Sequence, residues 1–223
     1  MQAGNKGYRK ASDIPDTVPV FPLSGALLLP GGQLPLNLFE PRYLAMFDFA
    51  LAGDRLIGMV QPRFDMADTD EDNPPLCEVG CLGRITSFTE SGDGRYLISL
   101  HGVCRYRIMQ ELAVRTPFRQ CRIAPFLADL DDDRGGAGVD REGLLRAFRA
   151  WLEANNMEAD WESVKKAGNE TLVNALSMMS PYGPAEKQAL LEAADLKLRA
   201  ETLIAITEIT LARGQSGEGG TLQ

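Results

Sequence analysis

The segment from Val18 to Pro62, VPVFPLSGALLLPGGQLPLNLFEPRYLAMFDFALAGDRLIGMVQP, switches hydrophobic period repeatedly, and each switch restricts how the chain can fold. Val18, Val20, Phe21 and Leu23 form a short apolar run. Leu27 to Leu29 lead into Pro30-Gly31-Gly32, where a turn is expected because proline presets φ and glycine tolerates positive φ. Leu34, Leu36 and Leu38 alternate with Gln33, Pro35 and Asn37, the period-2 pattern of a strand with one buried face. From Glu40 the period becomes helical. Leu44, Phe47 and Leu51 share a face with Tyr43 and Ala50, and Gly53 is placed to end the helix. Leu56 to Val60 reads as strand again. The unit is strand, turn, strand, helix, strand, with no nucleophile beside a base and no phosphate-binding loop.

Downstream, Cys77 to His101 reads as strands around a hairpin, with Ser91-Gly92-Asp93-Gly94 as the turn and Tyr96, Ile98 and Leu100 on one face. Phe118 to Phe126 reads as a closing strand, with Phe118, Cys121 and Ile123 inward. The second half changes to helical spacing. Asp140 is a candidate N-cap, with Val139 and Leu144 spaced as a hydrophobic staple, and Leu144, Leu145, Phe148, Trp151 and Leu152 on one face. Asp160 and Asn169 look like two further caps. Leu172, Val173, Leu176 and Met179 form the next apolar face, which Pro181 stops. Pro184 opens another helix, and a last one runs from about Asp195 to Arg213, ending at Gly214.

The stretch PVFPLSGALLLPGGQLPLNLFEPRYLAMFDFAL resembles the amino-terminal substrate-binding domain of the ATP-dependent protease Lon, a domain with a relative in cereblon. The tail KQALLEAADLKLRAETLIAITEITLAR resembles the helical end of the same region, and VGCLGRITSF…GRYLISLHGVCRYRI, with its Gly102-Val103-Cys104-Arg105, fits the family pattern. The similarity spans about residues 16–213. It implies an α+β fold: a PUA-like mixed or antiparallel β pseudo-barrel with an embedded helix, followed by an α-helical lobe. The expected organisation is a flexible N-terminus over 1–15, a β-rich lobe over 16–127, an acidic, glycine-rich solvated linker over 128–138, a helical lobe over 139–213 and a disordered tail over 214–223.

Composition narrows the function. The net charge of −8 argues against nucleic acid as a partner, since phosphate binding needs a surplus of Lys and Arg on one face. RNA binding through the PUA-like barrel stays as an alternative because some PUA-like folds bind RNA. No apolar run approaches the ~20 residues of a membrane span, and no signal-type segment stands at the N-terminus. A soluble, cytoplasmic protein is expected, and four cysteines fit reduced thiols better than a disulfide framework.

Candidate chemistry is sparse. His101 is the single histidine, so a Ser-His-Asp or Cys-His arrangement would have to pass through it. Its position in a strand, with Cys104 three residues on and so on the opposite face, reads as structural or solvent-facing. Cys77, Cys81, Cys104 and Cys121 offer a weak alternative of a four-thiolate zinc site. One close pair, Cys77 and Cys81, is present where such sites use two, so buried core residues are the preferred reading. Asp129, Asp131 and Asp133 alternate as in a calcium loop but lack its closing glutamate. Glu40 and Arg42 flank a helix start, where a role in stabilising the fold outweighs contact with substrate.

No Walker-type glycine loop and no counterpart of the Lon serine–lysine peptidase are found, so neither catalysis nor a cofactor is expected. The resemblance implies a non-enzymatic module that holds extended or unfolded polypeptide, as an adaptor or regulator beside a Lon-type protease. The other readings are peptidase-associated activity in the Lon sense and RNA binding. Phe64, Met66 and Leu76, apolar side chains around the acidic loop 62–75, are the candidate peptide contacts.

Overall fold

A computed structural model describes residues 1–64, 73–131, 136 and 138–217. The alternating and apolar runs become a six-stranded mixed sheet. Its strands are β3 (Thr17–Pro22), β4 (Gln33–Leu38), β5 (Leu56–Val60), β6 (Val79–Glu90), β7 (Tyr96–Glu111) and β8 (Gln120–Pro125), after a small hairpin of β1 (Gln2–Ala3) and β2 (Lys6–Gly7). The strand order is β4-β7-β6-β5-β3-β8, and a further β7–β8 pairing closes the ring. β7 makes this closure possible. It pairs with β6 from Tyr96 to Arg107, with β4 from Tyr96 to His101 and with β8 from Tyr106 to Glu111. The β3–β5 pair alone is parallel. A parallel pair needs a crossover, and β4 and α1 (Pro41–Ala52) occupy it, so the helix is embedded in the barrel's own connection.

Close approach requires glycine at two places. A Cβ on Gly102 would strike the Leu29 carbonyl, and one on Gly80 would strike the Tyr106 ring and the Met59 carbonyl. Tyr106 is fully buried and donates to that Met59 carbonyl at 3.2 Å.

Five helices follow: α2 (Arg141–Ala154), α3 (Trp161–Lys166), α4 (Asn169–Met179), α5 (Pro184–Glu192) and α6 (Leu196–Gly217). The architecture is α+β, a mixed pseudo-barrel followed by a helical lobe. Asp140 caps α2 through the Gly143 amide at 2.8 Å, and Asp160 caps α3. Asn169 is not a cap. It is the first residue of α4, and its side chain accepts from Arg141 and donates to the Gly136 carbonyl. One core cluster crosses both halves, joining Phe21, Leu29, Phe47 and Leu100 to Leu144, Val173, Leu190 and Leu203. Each such side chain contributes about 1.5–3 kcal/mol by leaving water.

The first 15 residues, expected as a lead-in, pack onto the barrel. Met1, Ala3, Tyr8 and Ile14 are buried in a second core cluster with Val18, Leu82 and Cys121. Arg84 fixes this segment by donating to the Tyr8 hydroxyl at 3.2 Å and to Asn5 Oδ1 at 3.3 Å. Burial raises the Tyr8 phenol above its ordinary value, with the Arg84 charge opposing.

Two residues of the acidic linker, Asp129 and Leu130, are buried as well. Leu127–Leu130 forms a 3-10 turn, and Asp129 is 7% exposed. Its two oxygens accept from Arg105 Nε and Nη2, each at 2.8 Å, and Oδ2 also accepts from the Arg105 amide at 2.9 Å. The remaining Arg105 donors reach the carbonyls of Leu191, in the last turn of α5, and of Ala193 and Ala194 just beyond it. All five guanidinium N–H groups are thereby used. Residues 132–135 and 137 of the expected linker lie outside the described residues. The last helix continues past Gly214 to Gly217, and the rest of the expected tail, 218–223, also lies outside them.

Asp129→Ala would leave the Arg105 charge buried without its carboxylate. We expect a loss of about 3–5 kcal/mol in unfolding free energy by urea titration. A change below about 1 kcal/mol, the range of an exposed pair, would contradict a junction built on this contact.

Candidate functional site

The loop that the sequence singles out is held at both ends by backbone bonds. Pro62 and Leu76 form an antiparallel bridge, flanked by Cys77 N to Gln61 O at 2.9 Å and Arg63 N to Pro75 O at 2.8 Å. This pinning brings Phe64 and Leu76 to one cleft of about 480 Å³, shared with Glu78, Arg107, Gln188 and Glu192. Phe64 is 51% exposed and Leu76 half-buried. Met66 lies outside the described residues, so the structure unites two of the three candidate contacts.

The helical wall of the cleft is α5, fixed to the barrel by amides. Buried Gln61 donates to Gln188 Oε1 at 3.0 Å and to the Pro184 carbonyl at 2.9 Å, while its own oxygen accepts from the Gly25 amide. Gln188 donates to the Val79 carbonyl at 3.1 Å and to Glu192. Lys187 donates to the Gly25 carbonyl at 2.8 Å, and burial lowers its ammonium below the ordinary value. These groups are committed to one another. What the cleft offers an incoming chain is therefore the apolar surface of Phe64 and Leu76, beside an exposed Arg107–Glu78 pair at 2.8 Å.

The helical lobe carries a second apolar groove, of about 410 Å³, between α2, α3 and α4. It was not foreseen, because Phe148 and Trp151 read as part of the buried face of α2. Leu144 and Leu152 are buried, whereas Phe148 and Trp151 are only half-buried and stack with ring centroids 6.4 Å apart. The available signal was the surplus of apolar residues at the helix ends: Met157, 52% exposed, and Met179, 80% exposed.

The remaining candidates have structural settings. Arg42 donates to Glu40 at 2.9 Å and lies 4.7 Å over Tyr43, whose ring packs 4.2 Å from Phe21, so this segment docks α1 on the barrel. Cys77, Cys81, Cys104 and Cys121 are all buried, and no group of three or more His, Cys, Asp or Glu among the described residues is arranged to hold a metal ion. Burial, then the charge of Asp129, pushes the Cys104 thiol up to about 12. Burial, then Glu111, pushes Cys121 up to about 11. His101 is half-buried in β7, opposite Arg84 and Gln33.

A family model for the ATP-dependent protease La (LON) substrate-binding domain matches residues 17–208. This chain belongs to that family. Lon protease 2 of Myxococcus xanthus is 26% identical over 210 residues, covering 89% of this chain and 24% of the relative. The Lon protease of Parabacteroides distasonis is 30% identical over 201 residues, covering 86% of this chain and 24% of the relative. The chain thus spans about a quarter of the length of these curated relatives. In fold it is similar to the Lon N-terminal domain protein from Xanthomonas campestris (TM-score 0.60, 21% identity, 85% of this chain and 97% of that one). It is also similar to the N-terminal domain of the Mycobacterium avium complex Lon protease (TM-score 0.59, 18% identity, 86% and 98%). The match is to the Lon substrate-binding domain and not to a catalytic one. Among the described residues no helix is long and apolar enough to cross a membrane.

A thiol raised by burial has little thiolate at pH 8, and the thiolate is the nucleophile. Cys104 and Cys121 are expected to resist iodoacetamide at pH 8 in the folded protein and to react in urea, as read by mass spectrometry. Added zinc is expected to leave the melting temperature unchanged. Fast labelling of Cys104 in the folded protein, or a zinc-dependent rise in melting temperature, would contradict the core role.

Proposed function

We propose that this Lon substrate-binding domain is a recognition module that holds extended or partly unfolded polypeptide and performs no chemistry of its own. The observation that carries the reading is the cleft in which Phe64 stays 51% exposed, next to the Pro62–Leu76 bridge that pins the two ends of its loop. An apolar side chain held in the open on a fixed frame loses little entropy when it meets a partner, which is where such a surface gains affinity. Leu76 and the α5 wall make that surface concave, and Met66 completes the proposed set of contacts.

Within this proposal the chain acts in the cytoplasm as an adaptor or regulator beside a Lon-type protease, and its clients are unfolded proteins. Nucleic acid is not among its partners. The charge of −8 supports that part, because a phosphate backbone is drawn to cationic faces.

A reduced, carboxymethylated protein that cannot refold is the direct probe. It is expected to bind the full chain, with affinity falling about tenfold for Phe64→Ser, the scale of a well-packed aromatic contact. Phe64 is exposed, so this change leaves the fold intact. Unchanged binding by the variant would remove the cleft from the account, and retention of the native chain on a polyanion column at low salt would favour RNA instead.

A further inference from the structure

We propose that the groove between α2, α3 and α4 docks a second kind of partner, a cationic amphipathic polypeptide segment: a few large apolar side chains bracketed by lysine or arginine. This surface shares no lining residue with the Phe64 cleft, so the inference stands independently of the function proposed above.

The apolar half of the recognition is built from Phe148, Trp151, Val164 and Leu176 on the helices, with Met157 and Met179 at the open edge. Aromatic and methionine side chains are the types that anchor interfaces, and the thioether adapts to partners of different shape. Exposure of Met157 and Met179 leaves apolar surface in water that a partner's side chains would cover.

Charge selects the occupant. The only ionisable residues that line the groove are Glu158 and Asp160, and both are acidic. Asp160 accepts from the amides of Glu162 and Ser163 and from the Ser163 hydroxyl, which holds its carboxylate at the rim and lowers its pKa. Glu158 is exposed at the mouth and forms no salt bridge among the described residues. Exposed Glu153, at the end of α2, extends the same sign, and the chain as a whole carries −8. Nearby Arg149 lies over the Trp161 ring and Lys165 pairs with Glu162, so the lining itself presents carboxylates and no cation. An apolar groove so edged disfavours acidic segments and gathers basic ones at encounter. It is the chemistry that lays the apolar face of a basic amphipathic helix into a groove.

The test titrates the full chain, by calorimetry, with a short synthetic helix bearing leucine along one face and lysine on the other. Its control is the same helix with glutamate at each lysine. The lysine helix is expected to bind one per chain, at least about tenfold tighter than the glutamate helix and more weakly as salt rises. Met179→Ser is expected to weaken it about tenfold. Glu158→Lys should weaken the lysine helix several-fold without weakening the glutamate helix. Both positions are exposed, and an unchanged circular dichroism spectrum verifies the fold of each variant. Phe64→Ser should alter neither titration.

Equal binding of the two helices, no binding of either, or indifference to both groove variants would overturn the proposal. So would self-association of the chain that Met179→Ser abolishes, because the occupant would then be a second copy. Capture of the chain by vesicles of neutral lipid through the same residues would overturn it too. If the denatured client binds and the lysine helix does not, this inference fails alone. The converse result would sink the proposed function and leave this one standing.

Discussion

The contact on which the rest of the structure depends is Arg105 with Asp129. Arg105 lies on β7, the strand that closes the barrel, and Asp129 lies in the turn that leaves it. Their bidentate pairing satisfies the carboxylate, and the other guanidinium donors go to the end of α5 and the chain that follows it. A buried pair has a desolvation cost that its own attraction barely offsets, so its value here is geometric. It fixes where the helical lobe leaves the barrel and where α5 lies. Arg199 on α6 adds to the junction by donating to the Leu190 carbonyl and to Asn174, which donates in turn to the Pro30 carbonyl. Burial, and then the nearby Arg105 charge, lowers Arg199 to about 10. That leaves it cationic at neutral pH and in need of its acceptors.

With the junction set, the Gln61–Gln188 pair holds α5 as a wall facing Phe64 and Leu76. The polar groups beneath the cleft are satisfied internally, and its accessible part is apolar. The groove of the helical lobe repeats that division with a different rim, apolar inside and acidic outside. Both features suit the recognition role proposed above, in which a surface that loses water readily and is already formed gives up little on meeting a partner.

Much of the barrel was legible because β4 alternates strictly and β3 and β5 are continuous apolar runs. Leu34, Leu36 and Leu38 face inward while Gln33, Pro35 and Asn37 face water, and Leu56–Val60 is the strand its composition indicates. The embedded helix was legible from its own period, although Met46, one of its buried residues, went unmarked. What stayed hidden depends on partners distant in sequence. Asp129 looks like its acidic neighbours, and only the strand 24 residues before it makes it a core residue. Met1, Ala3 and Tyr8 follow no single period, and their anchor, Arg84, is 76 residues from Tyr8. Phe64 and Leu76 stood out as apolar residues around an acidic loop, but their meeting on one cleft comes from the Pro62–Leu76 bridge and from α5. The helical groove was least legible, since half-buried and buried aromatic residues share one spacing on a helix.

Hydrogen–deuterium exchange on the full chain, with and without a reduced, carboxymethylated client protein, tests the central claim most directly. The account predicts slowed exchange at 61–64 and 76–79 and along α5, with the remainder of the barrel unchanged. Client binding that leaves these segments unprotected while slowing exchange elsewhere would contradict it.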